Sequence, residues 1–126
     1  MIIGLIEGDT SQRQLLKKLL LNRTVYSSEL ARLETRLLSI RNNNQESLQN
    51  FDRFFAACEM IAMDRAVFER ATLLRAETNM KTPDALHVAA ALNAGCHELW
   101  TDDKQLKNTA IHYLDVLDWD LLGNMQ

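Results

Sequence analysis

The sequence predicts an α/β fold, with a central parallel sheet of about four short strands flanked by helices. Three observations lead to this prediction. Apolar residues at helical spacing alternate along the chain with short β-branched or apolar runs. The 126 residues, 47% apolar and 25% charged, suit one globular domain with a real core. No repeat, linker or low-complexity tract divides the chain, so a single domain over residues 1–126 is expected.

The first half of the chain carries three helical patterns and one strand pattern. Helices are predicted at residues 11–21, 29–40 and about 45–57, and a strand at 24–28. In the first helix the leucines at 15, 16, 19 and 20 share one face. Ser27 or Ser28 is the expected N-cap of the second helix, and "RNNNQ" is the loop that follows it.

The second half repeats the alternation. "EMIAM" is a strand candidate, and Asp64 is the expected cap of a helix that runs through residue 75 and beyond. The next helix is predicted to have Thr82 as N-cap, Pro83 as first helical residue and Gly95 as C-terminal stop. "HELWT" and "AIHYLDV" are predicted as the last two strands. The aromatic residues are expected in the core or at an interface: Phe51, Phe54, Phe55, Trp100 and Trp119.

Composition excludes several function classes. The net charge of −3 provides no basic surface that could bind nucleic acid by electrostatics alone, so handling a polyanion would require metal cations. Cys58 and Cys96 form no CxxC pair, which indicates two small buried hydrophobes in a reducing cytosol. The apolar runs are shorter than a membrane span, and "MIIGLIEGD" lacks signal-peptide features. A cytoplasmic protein without membrane contact is therefore expected.

One glutamate occupies an unusual position on the second helix. Glu34 lies in the middle of an apolar arc formed by Leu30, Leu33, Leu37 and Leu38. A carboxylate there is either paired with a buried base or part of a site. Arg32, Arg36 and Ser39 are predicted on the opposite face. The arginines at 32, 36 and 41 are interpreted as a solvated face, with contact to RNA phosphate as the alternative.

Three aspartates adjoin core-forming sequence in the second half. Asp84 lies in the first turn of a helix that is apolar nearly all round, where it either complements the helix dipole or belongs to a site. Asp102 and Asp103 directly follow a predicted strand. Ligand sites lie beyond the carboxyl ends of parallel strands, although aspartate is also common in surface turns.

These acidic groups make chemical sense together if Glu34, Asp84 and Asp103 converge on divalent cations. Mg²⁺ and Mn²⁺ prefer carboxylate oxygen as a ligand. Such ions can activate water and stabilise the leaving oxygen in phosphodiester hydrolysis.

The stretches "YSSELARLETR", "KTPDALHVAAAL" and "LWTDDKQL", in this order, resemble the PIN-domain family, especially the VapC-type toxins of bacterial toxin–antitoxin pairs. The resemblance implies a PIN-like three-layer sandwich and a Mg²⁺- or Mn²⁺-dependent endoribonuclease. It also implies that Glu34, Asp84 and Asp103 are catalytic residues and metal ligands, with Thr101 as a polar neighbour and Asp102 as an auxiliary candidate. The implied partners are an RNA substrate, a cognate antitoxin protein and a second copy in a homodimer.

The start of the chain departs from the family pattern, which begins with a strand ending in Asp-Thr-Asn or Asp-Thr-Ser. We interpret "IIGLIEGD" as the helix after that strand, so that the N-terminal strand and its aspartate are missing and the acidic cluster is incomplete. The alternative makes "MIIGLI" the first strand, with Asp9 or Glu7 as ligand. The departure also leaves a second function open: a catalytically impaired PIN-like module that acts through dimerisation or antitoxin binding.

Overall fold

The computed structural model describes residues 10–21 and 23–124. Side-chain caps and buried helix faces determine most boundaries of its helices and strands. In chain order, the helices of these residues are α1 (Thr10–Leu20), α2 (Glu29–Arg41), α3 (Gln45–Ala56), α4 (Arg65–Glu77), α5 (Thr82–Asn93), α6 (Lys104–Ala110) and α7 (Trp119–Gly123). The strands are β1 (Tyr26–Ser28), β2 (Glu59–Ile61), β3 (Glu98–Trp100) and β4 (Asp115–Leu117). The fold is thus mostly helical α/β with short strands, as the sequence predicts. Among the described residues, however, the strands form two hydrogen-bonded pairs, β1–β2 and β3–β4, and not one sheet of four. The chain divides into two compact units, with the boundary after Met60.

The first unit is a helical hairpin beside a strand pair. Of the two predicted N-cap candidates, Ser27 and Ser28, the Ser28 hydroxyl caps α2 by accepting a hydrogen bond from the Ala31 amide at 3.2 Å. Helix α3 buries Phe51 and Phe55, which are 1% and 3% exposed. Strand β1 is hydrogen-bonded to β2. Ser28 is both the last residue of β1 and the N-cap of α2, so the strand leads directly into the helix.

The prediction for the buried face of α2 was wrong. Leu33, Leu37 and Leu38 are 59%, 42% and 50% exposed, whereas Ser39 is 4% exposed. The hydroxyls of Ser39 and Ser47 lie 3.0 Å apart in the α2–α3 contact. Small polar residues that satisfy each other allow the two helices to pack closely, and the leucines are left on the outer face.

The arginines of α2 also differ from the prediction of a solvated face. Arg36 Nε donates to Asp52 Oδ1 at 2.9 Å, and an Arg32 amino group lies 3.7 Å from the same oxygen. Asp52 belongs to α3, so the polar side of α2 faces the partner helix. Arg41 is exposed. The ion pairs are partly solvated and contribute orientation more than stability.

The second unit is built around α5. This helix buries Ala85, Val88 and Ala89 completely, and it packs against α4, which Asp64 caps through a 3.1 Å bond to the Val67 amide. Strands β3 and β4 are parallel, with Leu99 opposite Val116. The carboxyl ends of these two strands therefore lie side by side, directly before α6 and α7.

Two predicted boundaries in this unit need correction. Thr82 is the first residue of α5 and not its N-cap; the N-cap is Lys81, which makes no side-chain capping bond. The last strand is shorter than "AIHYLDV". Its first residues complete α6 and form a turn in which the amides of Tyr113 and Leu114 both donate to the Ala110 carbonyl.

The two cysteines are less buried than the sequence predicts. Cys58 and Cys96 are half-buried and not fully enclosed. Burial raises the pKa of the Cys58 thiol to about 11, in keeping with an unreactive structural cysteine. Along residues 10–21 and 23–124, the helices are too short or too polar to cross a membrane. The candidate ligands Glu7 and Asp9, the helix predicted over "IIGLIEGD" and the alternative strand "MIIGLI" lie outside the described residues.

Gly95, directly after α5, provides a test of the predicted helix stop. Its φ is +77°, and a Cβ added there would meet no atom within 4 Å, so only the backbone opposes substitution. We expect Gly95→Ala to lower the free energy of unfolding by about 1–2 kcal/mol. Gly123→Ala is the matched control, because its added Cβ also meets nothing and alanine favours the helix there. Urea unfolding of both variants measures the difference; an equal effect would contradict the assigned backbone conformation.

Candidate metal centre

Asp84 lies where the apolar helix α5 begins. It occupies the first turn and is half-buried, while the residues that follow it, Ala85 and Leu86, are buried. The Ala85 amide donates to the Lys81 carbonyl at 2.9 Å, which closes the first turn of the helix. The buried helix α5 thus holds the Asp84 carboxylate in its first turn, where the helix dipole favours negative charge.

Asp103 follows β3 and caps α6. Its Oδ1 accepts hydrogen bonds from the amides of Gln105 at 2.9 Å and Leu106 at 3.1 Å. Its own amide donates to the Thr101 hydroxyl at 3.2 Å. Both capping bonds fall on Oδ1, so Oδ2 is the oxygen that a cation could take. Asp103 therefore has a structural role whether or not it also binds metal.

Glu34 belongs to the first unit and is exposed on α2. Glu34 lies on the same face of α2 as the exposed leucines, as the sequence predicts. That face is exposed and not buried. An exposed glutamate suits a ligand for a hydrated cation better than a buried structural charge would.

The three carboxylates share the chemistry that Mg²⁺ and Mn²⁺ require, since each offers hard anionic oxygen. Within the described residues of either unit, no three side chains of Asp, Glu, His or Cys are grouped so as to hold a metal ion. Asp84 and Asp103 lie in the second unit and Glu34 in the first. The donor set fits a divalent cation in chemistry, and the convergence of the three groups remains a prediction.

The carboxyl ends of β3 and β4 enclose a small cavity of about 70 Å³ beside Asp103. Its lining includes Asp102, Asp118 and Lys107. Asp118 caps α7 through Oδ1, and its Oδ2 accepts a 2.6 Å hydrogen bond from the Lys107 ammonium group. Sequence reasoning missed this pair. The sequence "LDWD" could have indicated that Asp118 caps a helix. Nothing local indicates that a lysine eleven residues earlier is its partner.

The Lys107–Asp118 pair leads to a pH-dependent prediction. The hydrogen bond from Lys107, and then that from the Leu121 amide, lower the pKa of Asp118 below its ordinary value of 3.8. The unfolded chain consequently takes up a proton at higher pH than the folded one. The stability that this pair contributes is therefore present above about pH 4 and lost as pH falls through the folded-state pKa.

Lys107→Met should accordingly reduce the free energy of unfolding near pH 7, and the difference from wild type should shrink as pH falls below about 4. Urea unfolding between pH 3 and 7 measures this difference. Lys104→Met is the matched control, because Lys104 is the exposed lysine one turn earlier. A gap between Lys107→Met and wild type that is independent of pH would show that the ion pair contributes nothing.

A second depression lies at the other end of α5. This open groove of about 500 Å³ is lined by the start of α4 and by Leu92, Asn93 and Ala94. At 1.5 Å per helical residue, Leu92 is roughly 12 Å along the axis from Asp84. The groove is thus separate from Asp84.

Comparison with known proteins agrees with the sequence resemblance. The model of the PIN domain matches residues 1–112, and the chain belongs to the PIN-domain family. The structure is similar to a chain in the crystal structure of VapBC2 from Rickettsia felis bound to a DNA fragment from its promoter. The TM-score is 0.73 at 21% sequence identity, and the match covers 94% of this chain and 92% of that one. The PIN-like fold is therefore confirmed. No curated protein matches the chain.

Proposed function

We propose that this protein is a Mg²⁺- or Mn²⁺-dependent endoribonuclease of the PIN/VapC toxin type. The observation that carries the proposal is the family match over residues 1–112, which includes all three candidate ligands. The positions of Asp84 at the start of α5 and Asp103 beyond β3 support it, because ligand sites in parallel α/β sheets lie at such places. The match also spans the boundary between the two units, which supports their working as one domain.

In this proposal Glu34, Asp84 and Oδ2 of Asp103 hold the divalent cation. A cation held there would supply positive charge at the phosphate and Lewis-acid activation of water. Asp103 keeps its orientation because its Oδ1 is bonded to two backbone amides of α6. Asp84 keeps its orientation because the helix that carries it is buried. The residues thus contribute charge and position, which is where the catalytic effect of such sites arises.

Cleavage of a fluorescent single-stranded RNA in the presence of Mn²⁺, Mg²⁺ or EDTA tests the proposal. We expect cleavage with either cation and none with EDTA. The preparation should be compared with a Glu34→Gln, Asp84→Asn double variant purified in parallel, which controls for contaminating nuclease. Cleavage that persists in EDTA, or that is equal in the double variant, would contradict the metal-dependent mechanism.

The second candidate function is a PIN-like module that acts through protein contacts. It is favoured by the outer face of α2, where Leu33, Leu37, Leu38 and Ile40 are each at least 42% exposed. An apolar helix face of this kind is commonly covered by a partner. The similar VapBC2 structure contains a toxin–antitoxin pair on DNA, which supports a cognate antitoxin or a second copy as the partner.

Multi-angle light scattering measures the oligomeric state of the wild type and of Leu37→Glu. It tests self-association through α2 independently of RNA cleavage. A dimer that Leu37→Glu converts to a monomer supports self-association through α2. A monomer in both cases, with no RNA cleavage under any condition, leaves antitoxin binding as the remaining role. We further expect the protein to act in the cytoplasm, where its RNA substrate and a cognate antitoxin would be available.

A further inference from the structure

Helix α5 begins without a cap of its own. Its N-cap residue is Lys81, whose side chain makes no capping bond, and proline occupies the start of the helix. Uncapped helix starts fray readily, because their first amides lack partners. Asp84 lies in this first turn, so any fraying there would displace a proposed metal ligand. Side chains outside α5 that bond to the residues around Lys81 would steady this turn.

Arg75, in the last turn of α4, donates to groups on both sides of the N-cap residue; it holds the turn in this way, and it does not pair with the first amides of α5 as a cap would. Its Nε donates to the Met80 carbonyl at 3.1 Å, and its Nη1 donates to the Thr82 hydroxyl at 2.9 Å. The two acceptors lie on either side of Lys81. The planar guanidinium can reach both at once, which the single ammonium group of a lysine cannot do with the same geometry.

Thr78 reinforces the same connection. Its hydroxyl donates to the Leu74 carbonyl at 2.7 Å and accepts from the Met80 amide at 3.1 Å. Met80 is 4% exposed, so the middle of the turn is anchored in the core as well. The α4–α5 connection is thereby tied to the end of α4 through two side chains, and the backbone leading into Asp84 is held from one side.

The charge of Arg75 is also informative. A cation at the end of α4 is favoured by the dipole of that helix, but the same cation beside the start of α5 is not favoured by the dipole of α5. Its hydrogen bonds to the α5 start must outweigh that cost.

We propose that Arg75 is a positioning residue: by clamping Met80 and Thr82, it fixes the first turn of α5 and thereby the carboxylate of Asp84. This inference rests on the proposed function in so far as Asp84 binds metal. The clamp itself is independent of metal and is tested separately.

Amide hydrogen exchange in metal-free protein tests the clamp. Arg75→Lys and Thr82→Val should each speed exchange of the Ala85 amide by about tenfold, because its bond to the Lys81 carbonyl then opens more often. The Ala94 amide at the other end of α5 should be unchanged. Arg65→Lys is the matched control, since Arg65 is an exposed arginine at the opposite end of α4. Unchanged exchange at Ala85 in both Arg75→Lys and Arg75→Met would overturn the proposal.

Calorimetric titration with Mn²⁺ tests the consequence for Asp84. Arg75→Lys should weaken Mn²⁺ binding about tenfold, as for other groups that orient a metal ligand, while Arg65→Lys should not. Wild-type affinity in Arg75→Lys would overturn the link to Asp84. If the wild type itself binds no Mn²⁺, the proposed function fails, and the exchange of Ala85 alone decides whether Arg75 positions the turn.

Discussion

Asp84→Asn should lower metal-dependent RNA cleavage by about 100-fold or more, because groups that merely orient a metal ligand already cost 10–100-fold when removed. The substitution keeps the size and shape of the side chain but removes the anionic charge that a hard cation requires. The fold should survive, since a carboxylate in a first helical turn contributes only about 0.3–1 kcal/mol through the helix dipole.

Steady-state cleavage of RNA at saturating Mn²⁺ measures this effect. Asp115→Asn is a suitable control, because Asp115 is an exposed carboxylate on β4 outside the proposed ligand set. We expect near wild-type cleavage from the control and an unchanged circular dichroism spectrum from both variants. Comparable cleavage by Asp84→Asn and wild type would remove Asp84 from the site.

Phe51→Ala should destabilise the protein by about 3–5 kcal/mol, the range for deleting a buried aromatic side chain. Phe51 is 1% exposed and lies among the fully buried side chains, where neighbouring atoms cannot easily fill the space left behind. This loss is a large part of the net stability of a small domain. The variant should therefore be partly unfolded at moderate urea concentrations.

The same substitution at Phe68 is the control for residue type. Phe68 is 52% exposed on α4, so Phe68→Ala removes little buried surface and should change the free energy of unfolding by less than about 1 kcal/mol. Urea unfolding followed by circular dichroism compares the two. Equal losses would show that burial does not distinguish these positions, and that the core of the first unit is placed wrongly.

Local signals were sufficient to predict the order of helices and strands. Ser28 and Asp64 were recognisable as caps because the capping bond spans only three residues, from Ser28 to Ala31 and from Asp64 to Val67. Gly95 was recognisable as a helix stop because a positive φ favours glycine. Such features depend on the chain within one turn of the residue.

The packing face of α2 could not be predicted in the same way. Apolar periodicity identified the leucine face, but the helix packs through Ser39 and Arg36, whose partners Ser47 and Asp52 lie on α3. Which face is buried depends on the neighbouring surface and not on hydrophobicity alone. Thr82 was similarly misassigned as N-cap, because its hydroxyl is engaged by Arg75 from another helix.

The sequence suggests candidate ligands one by one, and it does not determine how they are arranged. Asp84 and Asp103 stand out locally, the one at the start of an apolar helix and the other directly after a strand. The capping role of Asp103 and the Lys107–Asp118 pair depend on how α6 and α7 follow the sheet. No local pattern in the chain determines this arrangement.

The central claim is that carboxylates distant in sequence hold one divalent cation. Paramagnetic line broadening by substoichiometric Mn²⁺ in the ¹⁵N-labelled protein tests it most directly, because Mn²⁺ broadens only the amide signals near it. We predict simultaneous loss of the signals around Glu34, Asp84 and Asp103, restored by EDTA. Broadening confined to one of these three segments, or spread evenly over the acidic surface, would contradict a shared metal centre.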